Sequence, residues 1–94
     1  MIKSFRHKGL ERFFRTGSKA GIQPAHASKL RLQLGALDKA QSVRELPAAW
    51  RPHKLTGSTD GLGGHIAIWV SGNWRLTFRF EGADVHLIDY TDYH

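Results

Sequence analysis

Ninety-four residues without a cysteine make a single domain over residues 1–94 and exclude a disulfide framework, thiolate catalysis and cysteine-built zinc sites. Fourteen Lys and Arg against eight Asp and Glu leave a formal charge of +6 before six histidines are counted. That sign favours a polyanionic partner, nucleic acid first, and suits an acidic protein equally well.

Charge interrupts every apolar run of "MIKSFRHKGLERFF", so neither a signal peptide nor a membrane span is expected, and the protein reads as cytoplasmic with no membrane partner. Within that stretch "IKSF" alternates Ile2 and Phe5 with polar residues and predicts a short first strand. Leu10, Phe13 and Phe14 then recur at helical spacing, and Gly17 can supply a left-handed cap, which predicts a helix over residues 8 to 16. "GSKAGIQ" is a loop. Pro24 suits the first position of the next helix, whose stripe is Ala27, Leu30, Leu34 and Leu37. Ser42 and Glu45 have capping-box spacing, but Pro47 stops any helix there after a single turn, so residues 41 to 52 are mostly connection with Trp50 as a lid on the core.

From His53 the apolar period becomes two, through "HKL", "GHIAIWV", "WRLTFRF" and "DVHLIDY", divided by "TGSTDGLG", "SGN" and "EGA". The expected fold class is α+β, in the order β-α-α-β-β-β-β: a small, mostly antiparallel sheet with two N-terminal helices packed on one face.

Parity tests the hairpins, because a one-residue slip sends every side chain to the opposite face. A three-residue loop at Ser71, Gly72 and Asn73 pairs Val70 with Trp74, Ile68 with Leu76 and Ile66 with Phe78, making one face fully apolar. Carrying Phe80 opposite Val85 puts Phe78 against Leu87 and leaves His86, Ile88 and Tyr90 beside Arg79, Thr77 and Arg75. The second face, with His65, Ala67 and Trp69 also on it, is thus basic and suits single-stranded RNA, whose phosphates meet guanidinium groups and whose bases stack on rings. An ordinary solvated strand face has much the same composition.

If the last strand stays extended, Asp92 and His94 project toward Arg75. Cleavage of RNA by its own 2′-hydroxyl needs a base, an acid and cations. His53, His94, Asp92 and Tyr93 are candidates for the proton transfers, while Lys54, Arg75 and Arg79 are candidates for the phosphate. The histidines show no metal-ligand spacing and the glycines of residues 57–64 no phosphate-binding fingerprint, so no metal and no cofactor are expected.

The short βαα start, "HKLTG", a glycine loop, "GHIAIWVSGNWRLTFRF" and a final "DYH" together resemble the HigB group of the RelE/ParE toxin superfamily, over nearly the whole chain. The resemblance implies a RelE-like fold and a toxin of a type II toxin–antitoxin system: a metal-independent, ribosome-dependent endoribonuclease, or mRNA interferase, cutting translated mRNA in the ribosomal A site. It implies a HigA-type helix-turn-helix antitoxin as partner, with operator DNA bound only through that antitoxin. By position the family's catalytic histidine falls on His53, its C-terminal Asp, Tyr and His on Asp92, Tyr93 and His94, and its phosphate-stabilising arginine on Arg75. Where the family often has "LKG" this chain has Thr56, and Lys54 lies two residues earlier. Two other functions remain open at this point: a ParE-like inhibitor of DNA gyrase and a non-catalytic basic RNA-binding module.

Overall fold

Local chemistry sets the helices seen in the computed structural model, which describes residues 1–55 and 64–92. Helix α1 (Lys8–Thr16) starts where the His7 Nδ1 accepts the Leu10 N–H at 2.9 Å, and it ends at Gly17, whose φ of 82° lets its N–H reach the Phe13 carbonyl. Leu10 and Phe13 are buried; Phe14 instead sits at the rim, 36% exposed, with its ring tilted on Phe5. Pro24 opens a 3-10 turn (Pro24–His26) that feeds α2 (Ala27–Lys39), and the expected stripe of Ala27, Leu30, Leu34 and Leu37 is buried. Gly9 and Gly21 lie so close that a Cβ on Gly21 would stand 2.5 Å from the Gly9 Cα, so both positions need glycine for backbone approach.

Glu45 reaches back to the N–H groups of Ser42 and Gln41 at 3.0 and 2.7 Å, fixing the turn Val43–Glu45, and Trp50 closes the core at 6% exposure. The sheet then runs in the order β1 (His53–Lys54), β2 (Ile66–Ser71), β3 (Trp74–Glu81), β4 (Asp84–Asp92), every neighbour antiparallel. Ile66, Ile68, Leu76, Phe78 and Ile88 face the helices and, with Leu30, Leu34 and Leu37, make the core. No helix among the described residues is long and apolar enough to cross a membrane.

The structure departs from the sequence reading in three places. Residues 2 to 5 form no regular strand; they lie along the outer edge of β4 through isolated parallel bridges, Ile2 to Val85 and Phe5 to Ile88. The ladder between those bridges is interrupted because Leu87 adopts a left-handed φ of 58°, and its N–H is taken by the Ser4 hydroxyl at 2.9 Å.

That bulge also changes the β3–β4 register. Phe80 pairs with Val85 and Arg79 with His86, but the next partners are Thr77 with Asp89 and Leu76 with Tyr90, a shift of one residue. Phe78 does not face Leu87. Parity therefore flips, and Ile88 and Tyr90 turn from the expected basic face into the core, at 0% and 4% exposure.

The β2–β3 hairpin holds the expected Ile66–Phe78 and Ile68–Leu76 pairs. Its end differs: Ser71, not Val70, pairs with Trp74 after an irregularity between Trp69 and Ser71. The turn is then Gly72 and Asn73, with Gly72 at a positive φ of 55°. The loop expected over "TGSTDGLG" falls mainly on residues 56–63, outside the described residues.

Candidate functional site

The face turned away from the helices carries three cross-strand rows. Trp69, Arg75 and Thr91 form one; His53, Ala67, Thr77 and Asp89 form the next; Arg79 and His86 belong to the third. Its centre, Ala67 and Thr77, is buried, whereas His53 and Arg79 are exposed and Arg75 is half-buried.

The His53 ring is oriented by its own chain. Its Nδ1 lies 3.1 Å from the Arg51 carbonyl, an acceptor, so Nδ1 carries the proton and donates it, and Nε2 is left with the lone pair that a base requires. The carbonyl reaches that position because Arg51 sits in the left-handed region (φ 53°, ψ 52°), between the buried Trp50 and Pro52. The same backbone twist brings the Arg51 guanidinium to 5.1 Å from the centre of the Trp69 ring.

Arg75 stands two strands from His53 and two residues along, which the standard strand spacing and rise make roughly 12 Å between Cα atoms. Its Nη1 is buried without a hydrogen-bond partner, a costly state for a cation's donor, while the side chain as a whole is half-buried. Arg79 lies on the same face, opposite His86, whose Nδ1 is 3.8 Å from Glu81. His65, expected on this face, is 3% exposed with neither ring nitrogen hydrogen-bonded. Lys54 is exposed but alternates to the other side of β1, paired with Ile66, so it does not share His53's face.

The flip at Leu87 changes the tail as well. Thr91, not Asp92, stands opposite Arg75, and Asp92 pairs with Trp74 on the side that Tyr90 occupies. Tyr90, expected among the arginines, is instead packed between helix and sheet. Its hydroxyl meets the His26 Nδ1 at 2.5 Å, and its ring stacks on Trp74 with centroids 4.4 Å apart. Burial raises its pKa above the usual tyrosine value; a hydrogen bond with the Gln23 backbone works the other way and the Asp92 charge adds to the rise. Asp92 thus lies close enough to Tyr90 for its charge to be felt. Tyr93, His94 and Thr56 lie outside the described residues.

Sequence reasoning passed over Lys29 and Arg51, both drawn to Trp69. The Lys29 ammonium is 5.0 Å from that ring. No spacing in the sequence links positions 29, 51 and 69; only the left-handed turn at Arg51 and the packing of α2 on β2 bring them together.

Known proteins resemble this chain in sequence and in fold. A family model described as the RelE-like toxin of the type II toxin–antitoxin system HigB matches residues 3–94. The Endoribonuclease HigB of Proteus vulgaris is 37% identical over 95 residues, with all of both chains covered. Among solved structures, YafQ from E. coli strain BL21(DE3) superposes with a TM-score of 0.65 at 15% identity, covering 98% of this chain and 91% of that one. A point mutant of E. coli YafQ gives 0.62 at the same identity and coverage. At that identity the YafQ structures speak for the fold alone.

Proposed function

This chain belongs to the HigB-like family of RelE-like toxins from type II toxin–antitoxin systems, and from that premise we propose that it is an endoribonuclease that cuts messenger RNA during translation by general acid–base chemistry. The observation that carries the reading is one shared face. It presents a histidine whose ring is already oriented by a carbonyl and an arginine with a buried, unpartnered donor.

In the proposed reaction the His53 Nε2 takes the proton of a ribose 2′-hydroxyl, whose oxygen attacks the adjacent phosphorus. The P–O5′ bond breaks as His94 or Tyr93 protonates the departing 5′-oxygen, leaving a 2′,3′-cyclic phosphate and a free 5′-hydroxyl. Arg75 takes the charge that builds on the non-bridging oxygens, where a preorganised donor acts most strongly. Arg79 contributes to holding the strand, and Asp92, paired with Trp74, orients the proton donor. All charge needed at the phosphate is supplied by side chains, which is why no metal enters the scheme.

A type II toxin has an antitoxin. Here the proposed partner is a HigA-type helix-turn-helix protein, through which alone the pair meets operator DNA, and the proposed workplace is the A site of the ribosome in the cytoplasm. The test is purified toxin added to ribosomes stalled on a defined message. Cuts ending in 2′,3′-cyclic phosphate, abolished by a 2′-deoxy substitution at the cut nucleotide, are expected. An intact message together with inhibited gyrase supercoiling would replace this reading by the gyrase one.

A further inference from the structure

The Trp69 ring is fixed at several points. Its indole N–H donates to the Gly72 carbonyl at 3.0 Å, so the side chain is tied to the β2–β3 turn. Its own carbonyl, at the irregularity that frees it from the ladder, accepts from the buried amide of Gln33 at 2.8 Å. Lys29 lies one helical turn before Gln33 on α2, so the residue that grips the Trp69 backbone and the residue that lies over its ring share one helix face. From the other side of the chain, Arg51 arrives on a backbone held in the left-handed region.

Neither Lys29 nor Arg51 forms an ion pair among the described residues, and the cross-strand neighbour of Trp69 is Arg75, with its unpartnered Nη1. Cations gathered at a rigid ring repel one another and lose hydration, so the arrangement works against folding unless an anion completes it. The ring contributes by holding the two stems in place before that anion arrives, which lowers the ordering cost of binding.

Resting on the endoribonuclease reading, we infer that Lys29 and Arg51, braced on Trp69, form a subsite for backbone phosphates of the substrate RNA strand flanking the phosphate that is cut. The chemistry recognised is the phosphodiester of single-stranded RNA, without regard to base. Arg51 then serves in two ways: its carbonyl orients His53 while its guanidinium fixes the strand. Gln at both positions keeps the stems on the ring and removes the charge.

The experiment compares wild type with Lys29→Gln/Arg51→Gln and with the charge-keeping Lys29→Arg/Arg51→Lys, all three first matched in thermal midpoint. Binding is measured by fluorescence anisotropy to a short 2′-O-methyl single-stranded RNA across a salt series, and single-turnover cleavage is measured on programmed ribosomes at varied toxin concentration. Loss of two phosphate contacts should lower the slope of log affinity against log salt by about 1.4 and weaken low-salt binding by about tenfold or more. In the cleavage assay the half-saturating toxin concentration should rise while the plateau rate stays within about threefold, and the charge-keeping variant should follow wild type.

Unchanged affinity and slope in the Gln variant would overturn the inference while leaving the nuclease intact. So would a defect seen only on ribosomes, since the phosphates would then belong to ribosomal RNA. Wild type that neither binds the oligomer nor cuts a message would remove the nuclease reading and the subsite with it.

Discussion

The two faces of the sheet are built from the same strands and treated oppositely. Toward the helices, Leu76, Phe78, Ile68 and Ile88 are fully buried. On the other face Arg75 keeps a donor without a partner, His53 and Arg79 stand in solvent, and Trp69 collects cations. Apolar burial at roughly 25 cal/mol per Å² makes the first face the source of stability. On the second face, among the described residues, Arg75 and Arg79 form no ion pair, while His86 lies 3.8 Å from Glu81. One face can therefore be damaged without the other, which mutations can test directly.

The largest separation is expected between His53→Gln and Phe78→Ala. Removing the exposed His53 side chain should lower the single-turnover cleavage rate by about 10²–10⁴-fold with the thermal midpoint unchanged. Removing the Phe78 ring from the core should cost about 3–5 kcal/mol in chemical denaturation, and any surviving folded protein should cut at the normal rate. Equal loss of stability in both variants would end the division of labour between faces.

A smaller effect is expected at Gly21. A methyl there meets the Gly9 backbone at 2.5 Å, backbone against backbone, so Gly21→Ala should destabilise by about 1–3 kcal/mol, read from the denaturation midpoint, without changing cleavage per folded molecule.

The smallest concerns pH. Tyr90 has its pKa raised by burial, so the folded chain keeps a proton that the unfolded chain releases above the ordinary tyrosine value. Its contribution is fully present below that value and is lost as pH rises toward the folded one. Tyr90→Phe, with no proton to release, should show a shallower decline in stability across that alkaline range. An unchanged slope would mean that Tyr90 is not the group responsible.

Much of this was legible because helical and strand periods leave different marks. The stripe from Ala27 to Leu37 and the pairs Ile66–Phe78 and Ile68–Leu76 came from spacing alone. The departure lies at Leu87. A non-glycine residue in the left-handed region leaves no compositional sign, so strict alternation does not register it. The sign was present in another form: in "DVHLIDY" the buried positions pass from Val85 to Ile88 and Tyr90, a change of phase that only an extra residue allows. Arg75, Thr77 and Arg79 lie on the face that parity assigns them. Asp92 was misplaced by the same slip, and Lys29 and Arg51 joined the picture only through tertiary packing.

The most direct test of the central claim is primer extension on cellular mRNA after brief induction of wild type and of a chain ending at Asp92. The account predicts cuts within translated codons in wild type, none in the shortened chain, and none in wild type once translation is blocked. Growth arrest by wild type with every message intact would contradict it.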